Sequence, residues 1–266
     1  MPDVAAPPTR VTARRAHTHE LTWRLIRDEP RLGATNMALD HALAACLSPA
    51  EGVVRLYGWS TPTVSFGKNE PAVRVGEGRH SGTGEMDYVR RPTGGRAVLH
   101  DQELTYAVVA PLDALGGLRE AYLRINEALA EALRGLGAAV DLSAAAGTLG
   151  LDAGPCFQAP TRGEIVAGGR KLVGSAQARL EGVLLQHGSI LLGGDQGALG
   201  EEGGEVTLSE MLGAVSSDAV AEAAAEALRR DFGGKWTDGR YDACEVEAAE
   251  RLEAERYAQD TWTWRI

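Results

Sequence analysis

A Gly168-Gly169 pair separates two short apolar-rich runs inside Glu164–Ala178, and a two-residue glycine turn between such runs dictates a β-hairpin. If those glycines form the turn, Ala167 faces Arg170, Val166 faces Lys171 and Ile165 faces Leu172. Side chains alternate along a strand, so Lys171 shares a sheet face with Val166 and Val173. A lysine is poorly solvated there. Either its amine snorkels to water at the sheet rim, or an anion lies beside it.

Other segments extend the same architecture. Leu21–Arg27, Val53–Trp59, Thr63–Phe66, Tyr88–Arg91, Ala97–His100, Leu104–Ala110 and Val183–Leu192 read as strands. Helical spacing marks Ala34–Leu47, Ser216–Phe232 and Ala243–Gln259. The clearest helix is Leu118–Leu136, where Leu118, Tyr122, Ile125, Leu129 and Leu133 fall on one stripe and Gly135 and Gly137 supply stop signals. Residues 1–19 have no apolar period and are expected to be a disordered leader. No repeat or linker divides the rest, so residues 20–266 are expected to form a single catalytic domain whose part from about 195 is acidic and helical. At 266 residues there is ample chain for a large core.

The formal charge of −10 argues against nucleic acid as a partner. Its distribution matters more: residues 1–194 hold 20 bases and 20 acids, whereas residues 195–266 hold 7 bases and 17 acids. The tail carries the whole excess. No apolar run approaches the ~18 residues of a membrane span, and the start lacks an apolar signal core, so a soluble cytoplasmic protein is expected. Cys46, Cys156 and Cys244 are far apart without a C-x-x-C pattern, which fits a reducing compartment. Cys46 reads as a buried small hydrophobe in a helix. Lys68, Lys171 and Lys235 are the only lysines beside 24 arginines, which asks whether an amine able to lose its proton is required at any of them.

Four clusters bear chemistry. In Arg90-Arg91-Pro92-Thr93-Gly94-Gly95-Arg96 a turn lets backbone approach a ligand, and its arginines form either a cationic rim for an anion or a solvated hairpin turn. Cys156, after Gly154-Pro155, sits at a turn like a nucleophile, yet a thiol near pKa ~8.5 needs a cation or base beside it. Lys171 is the candidate cation, and Gly174-Ser175 can offer backbone N–H groups to an oxyanion. Finally, Gln186-His187-Gly188-Ser189 places a histidine in an apolar strand, either orienting a substrate or satisfied structurally. No Ser-His-Asp order or metal-ligand spacing is apparent.

RRPTGGRAVLHD, a cysteine about sixty residues on, and GGRKLVGSAQARLEGVLLQHGSILL together resemble the biotin/lipoate ligase and lipoyl/octanoyl transferase superfamily. More narrowly, the chain resembles its cysteine–lysine octanoyltransferases, which move octanoyl groups from acyl carrier protein to the glycine cleavage H protein. WRLIRDEPRLGATNMALDHAL, TPTVSFGKNE and PCFQAP extend the likeness over about Trp23 to Leu192. The resemblance implies an α/β (α+β) fold of mixed, largely antiparallel sheets flanked by helices. It also implies a two-step transfer: Cys156 takes the octanoyl group from octanoyl-acyl carrier protein, then a lysine of the H protein or another lipoyl domain takes it from Cys156. Lys171 would favour the Cys156 thiolate and later accept a proton from the incoming amine. Arg91, Thr93, Gly94, Gly95, Arg96, His100, Gly174, Ser175, Gln186, His187 and Gly188 would bind substrate. No cofactor or metal is implied, and the enzyme is expected to act as a monomer.

One glycine of the superfamily's triple-glycine loop is replaced by Arg96, which crowds a nucleotide and disfavours ATP-dependent lipoate–protein ligation, the competing reading. Transfer between two lipoyl domains uses the same chemistry, and a non-catalytic lipoyl-domain binder would need neither Cys156 nor Lys171. Both partners of a transferase are acidic, so the acidic tail is expected to pack away from the docking face.

Overall fold

The apolar runs around 104–110 and 184–191 become the middle of a sheet because their residues can be buried on both faces. In the computed structural model, which describes residues 21–72, 86–145, 156–157, 159–199 and 204–265, they form β6 (Glu103–Ala110) and β10 (Val183–Leu191), paired antiparallel. Around them lie β1 (Thr22–Arg27), β2 (Glu51–Tyr57), β7 (Asp141–Leu142), β8 (Ile165–Ala167), β9 (Arg170–Leu180) and β11 (Lys235–Asp238). Among the described residues the order is β11-β1-β2-β6-β10-β9-β8-β7. β1 runs parallel to both β2 and β11, and the remaining neighbours are antiparallel. A smaller sheet joins β3 (Thr63–Phe66) to β4 (Asp87–Arg90), parallel, and to β5 (Val98–His100), antiparallel.

Period-two alternation sends the large sheet's side chains to two cores. Val54, Leu56, Tyr106, Val108 and Leu184 meet α2 (Leu118–Gly135) and α4 (Ser217–Phe232), while Val53, Tyr57, Ala107, Val109 and Leu185 meet α1 (Gly33–Ala45). On the outer side of α1 packs α5 (Ala243–Leu252), opened by a capping box between Asp242 and Glu245. The short helices α3 (Leu208–Leu212) and α6 (Asp260–Thr263) complete the set.

The hairpin forms at Gly168-Gly169, both with positive φ, and pairs Ala167 with Arg170 and Val166 with Lys171. Ile165 then faces Val173, not Leu172, because a bulge between Ile165 and Val166 shifts the register. The α2 stripe is also rotated from expectation: Ala121, Ile125, Ala128, Leu129, Ala132 and Leu133 are buried, whereas Leu118 is exposed and Tyr122 half-buried.

Cys46 is a further correction. It is half-buried at the C-cap of α1 and forms a disulfide with the exposed Cys244 of α5, with Cα atoms 6.2 Å apart. Their 198-residue separation hides the pair from any spacing pattern, and the bond removes sparse cysteine as an argument for a reducing compartment. Among the described residues no helix is long and apolar enough to cross a membrane. Residues 1–19 lie outside the described residues.

Candidate active site

Both sheets and α1 contribute to the walls of a cavity of about 300 Å³ that holds Cys156 and Lys171 together. Lys171 is buried, and its Nζ donates to Cys156 Sγ at 3.2 Å, to the Cys156 carbonyl at 3.0 Å and to Glu164 Oε1 at 2.7 Å. All three ammonium protons therefore have acceptors. Burial disfavours the ammonium, but the Cys156 and Glu164 charges prevail and raise its pKa above the ordinary lysine value. Glu164 Oε2 accepts from the Thr161 amide at 2.7 Å, which fixes the carboxylate. Glu164 escaped the sequence reading; its position at the foot of the hairpin that carries Lys171 was the available signal.

Cys156 is held through its backbone. Its N–H donates to Ala97 O at 2.9 Å, and its carbonyl also accepts from Arg96 Nη2 at 3.4 Å. The neighbouring Phe157 is buried against Gly174, where a Cβ would fall 2.9 Å from the ring. Gly154, Pro155 and Gln158 lie outside the described residues. Gly174 and Ser175 line the cavity past the end of β8, where among the described residues no strand covers that edge of β9. The Ser175 hydroxyl bonds with Tyr106 Oη at 2.7 Å and with Asn126 Oδ1 at 3.0 Å. Gly188 sits opposite Ser175 with no room for a side chain, since a Cβ would lie 2.4 Å from Gly174 O.

The arginines of the glycine turn do not form a solvated rim. Arg90, Arg91 and Arg96 are all buried. Arg90 donates to the carbonyls of Gly67, Glu70, Trp262, Thr263 and Arg265, and Arg91 to those of Ser65, Gly94 and Arg96. They fasten backbone rather than offer an anion site. The close approach that glycine allows is between loop segments: a Cβ on Gly67 would fall 1.8 Å from Gly95 O. Gly95, with φ of 90°, faces the cavity along with Arg91 and Arg96, whereas Thr93, Gly94 and Gln186 stand behind its lining.

Two histidines face the cavity, each backed by a carboxylate. His187 Nδ1 donates to Asp40 Oδ2 at 2.9 Å, so its Nε2 accepts from Thr93 Oγ1 at 2.6 Å. Burial pulls its pKa below the ordinary value despite Asp40, leaving a neutral ring at pH 7. His100 Nδ1 donates to Glu103 Oε1 at 2.9 Å and its Nε2 accepts from Ser65 Oγ at 2.7 Å, while Trp59 stacks on the ring at 3.9 Å. Gln186 belongs to a network on the other sheet face, donating to Tyr106 Oη at 2.9 Å and accepting from Gln177 at 2.9 Å. Asp40 and Ser65 were absent from the sequence reading because their partners come from distant strands, whereas Glu103 stood three residues from His100, a local signal that went unread.

The C-terminal part reaches the strand that carries Lys171. Lys171 N donates to Gly204 O, and Val206 N to Lys171 O, both at 3.0 Å.

Residues 33–229 match the lipoyl protein ligase A/B catalytic domain. The chain belongs to that family. Within the lipoyl protein ligase A/B family, it is 38% identical over 272 residues to the octanoyltransferase LipM of Kyrpidia tusciae, covering 92% of this chain and 99% of that one. It is 46% identical over 183 residues to LipM of Moorella thermoacetica (64% and 65% covered) and 39% identical over 191 residues to LipM of Bacillus subtilis (67% and 68% covered). The family fold is evident in a lipoate protein ligase of Thermoplasma acidophilum, at TM-score 0.77 and 22% identity over 92% of this chain and all of that one. A lipoate-protein ligase A bound with ATP superposes with TM-score 0.77 at 21% identity, covering 92% and 99%.

Proposed function

We propose that this chain is an octanoyltransferase of lipoate biosynthesis that carries the acyl group on Cys156. The observation that carries the reading is the 3.2 Å contact between Cys156 Sγ and the buried Lys171 ammonium in the wall of a cavity lined by Met37, Tyr57, Trp59 and Val98. The relatives named octanoyltransferase LipM, 36–46% identical, support the acyl group assigned.

In the first step the Cys156 thiolate attacks the donor thioester carbonyl, the new C–S bond forms, the old one breaks, and Lys171 gives a proton to the departing thiolate. Acylation removes the sulfur charge, the first of the two charges that hold the Lys171 proton. Neutral Lys171 then accepts a proton from the acceptor amine as that amine attacks the acyl carbon and Cys156 leaves as thiolate, which restores the ion pair. Thioester exchange is nearly balanced and amide formation is downhill, so ATP is not required.

The donor is octanoyl-acyl carrier protein and the acceptor the glycine cleavage H protein or another lipoyl domain. The working unit is one catalytic domain over residues 20–266, acting as a monomer. Its compartment is the cytoplasm. Incubation with octanoyl-acyl carrier protein and no ATP tests the reading by intact mass: wild type gains one hydroxylamine-sensitive octanoyl group and Cys156→Ala gains none. An unmodified wild type, or an acylated Cys156→Ala, refutes it.

A further inference from the structure

The rotation of α2 leaves apolar side chains outside the core. Leu118 and Leu123 are 37% and 38% exposed, and with Tyr122 they line a groove of about 320 Å³ shared with Arg119, Arg162 and Gln177. The neighbouring arginine of α2, Arg124, is tied to Asp231. Arg119 and Arg162, by contrast, are exposed and form no hydrogen bond or ion pair among the described residues. Two guanidiniums from different segments thus converge on one half-apolar groove whose lining, among the described residues, holds no carboxylate, an arrangement that an anion with an apolar stem complements.

The groove abuts the catalytic cavity. Thr161 lines the cavity and Arg162 the groove, and the same division separates Ala176 from Gln177. Tyr122 lines the groove and packs near Gly163, which precedes the cavity-lining Glu164. Burial and then the Glu164 charge raise its phenol pKa, with Cys156 contributing further.

Given the transferase reading above, we infer that this groove seats the phosphopantetheine-type arm of the acyl donor. The phosphodiester lies between Arg119 and Arg162, the stem runs along Leu118 and Tyr122, and the thioester enters past Thr161 toward Cys156. Arg91 and Arg96, which the resemblance gave to substrate binding, donate instead to backbone carbonyls.

The test compares acylation of Cys156 by octanoyl-acyl carrier protein with acylation by octanoyl-N-acetylcysteamine, which has no phosphate. In Arg119→Ala/Arg162→Ala the ratio of the two second-order rate constants should fall at least tenfold, and Arg119→Lys/Arg162→Lys should recover most of it. An unchanged ratio, or a defect confined to transfer from pre-acylated enzyme to the lipoyl domain, overturns the groove assignment while leaving the transferase reading intact. If neither donor acylates wild type, the transferase reading fails and the groove assignment falls with it.

Discussion

Glu164 accepts a hydrogen bond from Lys171 at 2.7 Å, so a buried carboxylate and the Cys156 sulfur compete for the protons of one ammonium. Burial alone would push the Lys171 pKa down; the two negative charges push it up. Glu164 is thus the charge that persists when Cys156 is acylated.

Glu164→Gln should therefore make Lys171 lose its proton at lower pH. The expected result is an alkaline limb of the pH–rate profile for Cys156 acylation moved to lower pH, with the loss of rate growing above neutrality. A uniform loss across pH would show that Glu164 acts only through packing.

Asp28 predicts an acid transition. Burial opposes its ionisation, but a hydrogen bond from Arg31 and the charge of the buried Arg55 prevail, holding its carboxyl at about 2 rather than 3.8. A depressed folded pKa contributes stability above the unfolded value and loses it as pH falls from about 4 toward 2. Asp28→Asn should cost about 2 kcal/mol at pH 7 and flatten stability over that acid window, measured by urea unfolding at stepped pH.

Cys46 and Cys244 close a loop of 198 residues of sequence separation, so the crosslink restricts the unfolded chain strongly. Cys46→Ser should lower stability by up to about 5 kcal/mol in the chain-entropy account. Peptide mapping without reductant should recover the linked Cys46 and Cys244 peptides, with Cys156 as the free thiol.

Arg90→Ala should strip partners from buried carbonyls of Gly67, Glu70, Trp262, Thr263 and Arg265. A loss of about 3 kcal/mol is expected, and deletion of residues 262–266 should reproduce much of it in the same urea assay.

Local patterns carried the sequence reading where the physics is local. Gly168-Gly169 placed Lys171 opposite Val166 because a two-residue turn fixes the first pairs of a hairpin. The register failed at the very next residue, Ile165, where a bulge intervenes. Leu118 fell off the α2 stripe because a helix face is chosen by its neighbours α4 and β6, and smaller alanines at 121, 128 and 132 fit that contact. The arginine turn looked cationic since nothing near it in sequence reveals carbonyls more than 170 residues away. Asp40 with His187, and Cys46 with Cys244, are likewise pairings that only the folded topology creates.

The clamp of Arg90 on Trp262, Thr263 and Arg265 also ties together segments more than 170 residues apart in sequence. β4, which leads into the glycine turn, receives three of its guanidinium acceptors from residues 262–265. The turn that brings Gly95 and Arg96 to the cavity wall is thus moored by a segment that does not itself line the cavity, so a substitution there reaches the reactive thiol's surroundings through backbone alone.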